Sequence, residues 1–171
     1  MCIICVSKPG VRQPDENTIR TMFYRNPHGA GYMFARDGRV EIRKGFMRLD
    51  EYLRAKPGTV WDYKPEWGWD RYRIAGKLYA ATCLPGPTYA KEYAGHPLLT
   101  LKCDPLESEL LRAACPDILP GFYTDKRTWI SIRLDGGVER ERILRLCDAS
   151  YDLVFARLTR RARMEIMDGG T

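Results

Sequence analysis

Strand–turn–strand patterns constrain the fold of this chain more than any other feature. GYMFARDGRVEIRKGF (31–46) predicts a hairpin that turns at Arg36-Asp37-Gly38, because an Asp-Gly pair favours the positive φ of a tight turn. RYRIAGKLYAATC (71–83) predicts a second hairpin that turns at Ala75-Gly76-Lys77. Three further strands are predicted: CIICVS (2–7), LLTLKC (98–103) and TWISIRLDGG (128–137).

Helical patterns lie between these strands without regular strand–helix–strand alternation. In DPLESELLRAACP (104–116), Asp104 is placed as the N-cap and Pro105 as a first-turn residue. The other predicted helices are PDENTIRTMFYRN (14–26), LDEYLRA (49–55) and VERERILRLCDASYDLVFARL (138–158). Hairpins and helices in this irregular order predict an α+β fold.

The composition is that of a soluble globular protein, with 44% hydrophobic and 29% charged residues in a chain of 171. No stretch approaches the roughly 18 uninterrupted apolar residues of a membrane span. The amino terminus lacks the basic and apolar segments of a signal peptide. We therefore expect a cytoplasmic protein with no membrane partner.

The six cysteines, at positions 2, 5, 83, 103, 115 and 147, are expected to be reduced and buried, because the compartment is reducing. Cys2 and Cys5 form one Cys-x-x-Cys pair, but no second pair follows at zinc-finger spacing. His28 and His96 stand apart from other ligands. The sequence thus predicts neither a metal site nor a cofactor.

The net charge of +6 permits an anionic partner without requiring one. Residues 1–54 hold 10 basic and 6 acidic side chains, a net of +4, and residues 55–171 hold 18 and 16, a net of +2. Charge alone therefore does not identify a nucleic-acid-binding protein.

Residues 50–165 resemble the MmcQ/YjbR family. The resemblance is carried, in order, by YKPEWGWDRYRIAGKLYA, LLTLKCDP, LLRAACPDILPGFYTDKRTWISIRLDGG and CDASYDLVFARLTRRAR. It implies a frataxin-like (CyaY-like) antiparallel sheet with helices on one face, and a double-wing DNA-binding motif. The expected function is non-enzymatic binding of double-stranded DNA with weak sequence specificity.

The segment GFYTDKRTW (121–129) places two adjacent cations beside aromatic residues on a loop that leads into a strand. Cations in such a place can neutralise phosphates. The residues expected to contact phosphates are Lys126, Arg127, Arg71, Arg73 and Lys77, while Trp129 and Tyr123 are expected to shape the loop. Arg157, Arg160, Arg161 and Arg163 extend this patch if the end of the last helix faces the same way. A solvated loop and packed tryptophans are the alternative interpretation.

Residues 1–50 resemble the start of class II glutamine amidotransferase-like proteins of the N-terminal-nucleophile group. In that group the cysteine after the initiator methionine, here Cys2, attacks an amide. The chain has no Asn-Gly pair to supply the oxyanion donors that the group uses, since its asparagines are Asn17 and Asn26. We therefore predict an incomplete amidotransferase-like segment and keep amide hydrolysis or glutamine amidotransfer by Cys2 as the alternative function.

The predicted organisation is an amidotransferase-like segment at 1–54, an MmcQ/YjbR-like domain at 55–168 and a flexible tail at 169–171. The aromatic stretch from Trp61 to Tyr72 leaves a second alternative open, in which the protein is an interaction module for a protein partner.

Overall fold

The computed structural model describes residues 31–36, 39–44 and 49–168, and the chain divides into two compact units, 1–50 and 51–171. In the first unit, β1 (Gly31–Arg36) pairs antiparallel with β2 (Arg39–Lys44), which confirms the predicted hairpin. The elements predicted at 2–7 and 14–26 lie outside the described residues, as do Cys2, Cys5 and residues 169–171.

A six-stranded antiparallel sheet organises the second unit, in the order β3-β4-β5-β6-β8-β7. Its strands are β3 (Thr59–Lys64), β4 (Trp69–Ile74), β5 (Lys77–Cys83), β6 (Leu98–Lys102), β7 (Ile118–Pro120) and β8 (Trp129–Arg133). The helices from residue 49 onward are α1 (Leu49–Arg54), α2 (Pro105–Ala114), α3 (Arg140–Phe155) and α4 (Arg160–Asp168). This mixture of antiparallel strands and helices confirms the α+β class.

One face of the sheet, here called the helix face, forms the larger part of the core. Alternate strand residues point to opposite faces, and the buried residues of the helix face are Tyr72, Ile74, Leu99, Leu101, Ile118, Ile130 and Ile132. Helix α3 packs against β5 and β6 and buries Leu146, Cys147 and Val154. Apolar burial on this face is the main stabilising contribution.

The opposite face, here called the loop face, is partly covered by two loops. Trp69, Cys83 and Leu98 lie in one row of this face and form a buried cluster. Phe122 and Tyr93, from the loops before β8 and β6, pack against that cluster. The loop face also holds the buried Ala81, Thr100 and Ser131, and charged side chains lie on β4 and at the end of β6.

A bulge in β5 interrupts the sheet at Tyr79. Tyr72 lies opposite Ala80 and Arg73 opposite Leu78, so that Tyr79 is the extra residue. The turn of this hairpin holds Ala75 and Gly76 at φ of 45° and 76°. Two positive φ values are typical of the tight turn that the sequence predicted.

Tyrosine hydroxyls fasten α1 and the turn after it to the rest of the unit. The hydroxyl of Tyr79 donates to the carbonyl of Leu53 at 2.8 Å, and the hydroxyl of Tyr151 donates to the carbonyl of Pro57 at 2.7 Å. The two rings also meet edge to face, with centroids 5.4 Å apart. These contacts hold the chain entering β3 against α3.

Three elements of the second unit were not predicted: β3, β7 and α4. The predicted strands and helices after residue 49 are otherwise present, with α3 shorter than the expected 138–158. Cys83, Cys103 and Cys147 are buried free thiols, as expected, and Cys115 is a partly buried free thiol. None of the helices described between residues 49 and 168 has the length and apolar character of a membrane span.

Candidate nucleic-acid interface

Arg71 and Arg73 lie on the loop face of β4, where both bind Asp62 of β3. Asp62 is the cross-strand neighbour of Arg71, which pairs with one oxygen of its carboxylate. The other carboxylate oxygen of Asp62 lies 3.1 Å from a guanidinium nitrogen of Arg73. The hydrogen bond from Arg71 and the charges of both arginines lower the pKa of Asp62. Both arginines therefore lie within the first strand of the hairpin predicted at 71–83, and one carboxylate holds them.

The Nε–H groups of Arg71 and Arg73 are buried, and neither has a hydrogen-bond partner among the described residues. A buried donor without an acceptor is unfavourable. Asp62 thus satisfies only part of the hydrogen-bonding capacity of the two guanidinium groups, and an additional acceptor on this face would complete it.

Lys102 extends this cationic surface across the sheet. Ala80 of β5 pairs with Tyr72 of β4 on one side and with Leu101 of β6 on the other. Since β4 and β6 are both antiparallel to β5, they run in the same direction. Arg73 and Lys102 follow Tyr72 and Leu101, respectively, by one position, so both lie on the loop face at the same level. Strands two apart in a sheet are separated by about 10 Å.

Trp129 is the cross-strand neighbour of Lys102. The Lys102 ammonium nitrogen lies 5.0 Å from the centroid of the Trp129 ring, a cation–π contact. Trp129 is partly buried, so its ring supports the lysine from the side of β8. The sequence analysis predicted a role for Trp129 in this loop but did not identify Lys102.

The loop with Lys126 and Arg127 leads directly into this part of the sheet. The Cys103 N–H donates to the carbonyl of Thr128 at 2.9 Å, next to Lys102. Asp125 turns the loop, because its carboxylate accepts the N–H groups of Arg127 at 2.7 Å and of Thr128 at 3.3 Å. Both cationic side chains are exposed, and among the residues that the structure describes neither forms an ion pair.

Arg157, just beyond the end of α3, also acts on Lys102. Burial lowers the pKa of the Lys102 ammonium, the charge of Arg157 lowers it further, and the carboxylate of Asp125 opposes both effects. Like charges are thus gathered at one end of the sheet. We call this surface the basic end, and its members are Arg71, Arg73, Lys102, Lys126, Arg127 and Arg157.

Two groups of predicted residues lie elsewhere. Lys77 is exposed beside the β4–β5 turn and faces Ile74 in the register, which places it on the helix face and not beside Arg73. Arg160, Arg161 and Arg163 belong to the separate helix α4, where Arg161 pairs with Glu165 at 2.8 Å. Of the arginines at the end of the chain, only Arg157 is linked to the basic end by a described interaction.

Tyr123 belongs to a second surface, here called the aromatic band, whose rings are Trp67, Trp69, Tyr89, Phe122 and Tyr123. Trp69 stacks on Phe122 with centroids 6.3 Å apart, and Phe122 meets Tyr123 edge to face at 4.9 Å. Tyr89 contacts both Phe122 and Tyr123. The band therefore joins the loop before β6, the loop before β8 and the β3–β4 hairpin.

Potential metal ligands do not cluster in the part of the second unit that the structure describes. No group of three or more histidine, cysteine, aspartate or glutamate residues suited to a metal ion occurs between residues 49 and 168. His96 binds Asp135 through Nδ1 at 2.9 Å, which ties the loop before β6 to the turn after β8. The chemistry that the loop face offers is contact with an anion and with flat rings.

Comparison with known sequences finds one family and similar proteins from several bacteria. The YjbR family matches residues 54–153. The chain is 31% identical over 103 residues, which is 60% of this chain and 80% of the relative, to the uncharacterized protein YjbR of Escherichia coli K12. It is 30% identical over 110 residues to the uncharacterized protein YyaQ of Bacillus subtilis, covering 63% of this chain and 92% of that one.

Solved structures agree with this relationship. The Deinococcus radiodurans protein DR2400, which carries the domain DUF419, superposes with a TM-score of 0.58 at 27% identity, over 70% of this chain and 85% of that chain. A protein from Pseudomonas syringae has the same fold, with a TM-score of 0.54 over 64% of this chain and 97% of its own. On its sequence and its fold, the chain belongs to the YjbR family.

Proposed function

We propose that this protein binds double-stranded DNA, with weak sequence specificity and without catalysing a reaction, through the basic end. The observation that carries the proposal is that Arg73 and Lys102 lie at the same level of the loop face, two strands apart, with the Lys126-Arg127 loop beside Lys102. Contacts from such cations to phosphates supply most of the affinity for DNA regardless of sequence.

The electrostatics of the basic end support this proposal. Lys102 is held near Arg157 although their charges repel each other, and no described carboxylate pairs with Lys126 or Arg127. A phosphate would relieve this repulsion. Its oxygens would also accept hydrogen bonds from the exposed parts of the Arg71 and Arg73 guanidinium groups, since both side chains are only partly buried.

The small charge excess sets the expected strength of binding. Residues 55–171 carry a net charge of only +2, and Asp62 and Asp125 lie within the basic end. We therefore expect affinities in the range of non-specific binding, with dissociation constants of about 10⁻⁴–10⁻⁶ M at physiological salt. A frataxin-like arrangement, a double-wing motif and a cytoplasmic location remain predictions that go with this function.

The test is titration of a fluorescent duplex at low and near-physiological salt, with the Lys126→Ala/Arg127→Ala variant beside the wild type. We expect the variant to bind more weakly and the salt slope to fall by about 2, since each phosphate contact contributes about 0.9. The control variant Arg140→Ala/Arg142→Ala removes the same charge at the start of α3. The helix is about 24 Å long, and Arg157 of the basic end lies just beyond its opposite end. This control variant should bind like the wild type.

Binding that is independent of salt would contradict the proposal. So would an equal loss of affinity in the two double variants, because the effect would then follow net charge and not the basic end.

A further inference from the structure

Three large aromatic side chains of the aromatic band remain exposed although they are joined to a buried cluster. Trp67 is 59% exposed, Tyr89 is 42% exposed and Tyr123 is 74% exposed. The buried rings of Trp69 and Phe122 connect them, with Trp67 meeting Trp69 edge to face at 6.0 Å. An exposed aromatic cluster of this kind is typical of an interaction surface.

Two of the exposed rings are carried by tight turns. Trp67 lies in the β3–β4 turn, where its N–H donates to the carbonyl of Lys64 at 3.1 Å and Gly68 has φ of 65°. Tyr123 has φ of 51°, a left-handed conformation that is uncommon for a residue other than glycine. Tight turns thus hold the backbone of both residues at the surface.

Two cations lie over the Trp67 ring, and each also pairs with a carboxylate, Lys64 with Glu66 at 3.3 Å and Arg71 with Asp62. The Lys64 nitrogen lies 5.7 Å from the Trp67 centroid, and the Arg71 guanidinium carbon lies 5.6 Å from the same centroid. Arg71 is also a member of the basic end, so the two surfaces adjoin on the loop face. Aromatic rings beside cations bind single-stranded nucleic acids, because bases stack on the rings while phosphates meet the charges.

We propose that the aromatic band binds unpaired bases of single-stranded nucleic acid, with Trp67 as the main stacking ring and Lys64 and Arg71 as its phosphate contacts. The inference deepens the DNA-binding function proposed above, and its role beside a bound duplex rests on that function. A proline-rich peptide could also lie on aromatic rings, but it offers no negative charge to Lys64 and Arg71.

The experiment measures binding of the full chain to a fluorescent single strand of about 16 nucleotides and to a duplex of the same sequence. The variants are Trp67→Ala, which removes the ring, and Trp67→Phe, which keeps one. Tyr63→Ala is the matched control: Tyr63 is 51% exposed on the same hairpin, and the register with Asp70 places it on the helix face. Circular dichroism confirms that each variant is folded.

We expect Trp67→Ala to lose about ten- to a hundredfold in affinity for the single strand, with little change for the duplex. Trp67→Phe should retain most of the single-strand affinity, and Tyr63→Ala should match the wild type. Equal single-strand binding by Trp67→Ala and the wild type would overturn the inference. Absence of single-strand binding, or binding of a polyproline peptide in its place, would also overturn it.

The experiments distinguish failure of the duplex-binding proposal from failure of the stacking proposal. Duplex binding that depends on Lys126 and Arg127, together with single-strand binding that is indifferent to Trp67, would leave the proposed function and remove the stacking site. Single-strand binding that depends on Trp67, with duplex binding indifferent to Lys126 and Arg127, would support the stacking site and remove the proposed duplex contact.

Discussion

The Ser150 hydroxyl donates a hydrogen bond to the carbonyl of Tyr79 at 2.5 Å. The same oxygen accepts the N–H of Lys102 at 2.8 Å. Since Tyr79 is the bulged residue of β5, a single buried side chain of α3 completes hydrogen bonds at the interruption of the sheet. The backbone that carries Lys102 into the basic end is fixed by this serine.

Replacement of Ser150 by alanine should lower the free energy of unfolding by about 2 kcal/mol, because two buried backbone groups lose their partner. Chemical denaturation measures this change. Ser108 supplies a matched control: it is equally buried, but its hydroxyl has no hydrogen-bond partner among the described side chains and backbone. Ser108→Ala should cost much less, and equal losses in the two variants would contradict this role of Ser150.

Neutralising Asp62 should strengthen duplex binding. Asp62→Asn removes the charge that pairs with Arg71 and Arg73 and leaves both free for phosphates. Because salt screens exposed charges, we expect this rise in affinity to be largest at low salt. Glu141→Gln, which removes an equal charge beside Arg145 on α3, is the control. Weaker binding by Asp62→Asn would show that the carboxylate positions the arginines for the ligand.

Stability in acid should depend on Asp148. Partial burial raises its pKa, but hydrogen bonds from Lys56 and Tyr52 outweigh this effect, and the net pKa is lowered. A lowered pKa in the folded state stabilises the protein above the unfolded value of about 3.9, and this stabilisation disappears as pH falls through the folded value. The difference in unfolding free energy between wild type and Asp148→Asn should therefore be largest near neutral pH and shrink below about pH 4. A difference that is constant with pH would refute this assignment.

Thiol reactivity should follow burial. Desolvation raises the pKa of both Cys83 and Cys147 to about 12, whereas Cys115 is only partly buried. Since the thiolate is the reactive species, iodoacetamide at mildly alkaline pH should modify Cys115 well before the other two. Mass spectrometry of peptides assigns each site. Early modification of Cys147 in the native protein would indicate that α3 does not pack as described.

The loop of the basic end should depend on Gly121. A Cβ atom built there would lie 2.7 Å from the Cβ of Trp129 and would also collide with Thr124. Gly121→Ala should therefore reduce thermal stability and weaken duplex binding together, because the loop carrying Lys126 must shift. Gly86 has no atom within 4 Å of such a Cβ, and Gly86→Ala should leave both quantities unchanged.

Local signals predicted most of the second unit. Ala75-Gly76 marks a tight turn, and Asp104 caps α2 through hydrogen bonds to the next turn, as its position before a proline indicated. Strand β3 was missed although Trp61-Asp62-Tyr63-Lys64 alternates, because it is an edge strand with exposed residues on both faces and is only six residues long. Helix α4 has no buried residue, and its arginine-rich sequence was not recognised as a helix.

The candidate site was predictable only in part, because its geometry depends on strand register. Lys126 and Arg127 are adjacent cations on a loop and can be found directly in the sequence. The pairing of Asp62 with Arg71 and the position of Lys102 beside Trp129 require knowledge of which strands are neighbours. A lysine at the end of the otherwise uncharged strand LLTLK was the one sequence signal for Lys102.

The two faces of the sheet also differ in how well they tolerate amino-acid substitutions. Substitutions on the helix face disturb packing against α3, whereas the side chains of Lys126 and Arg127 contact solvent at the margin of the fold. Mutation at these two positions alters charge without opening a cavity. The sheet is therefore a scaffold whose surface charge can change while the stabilising layer stays constant.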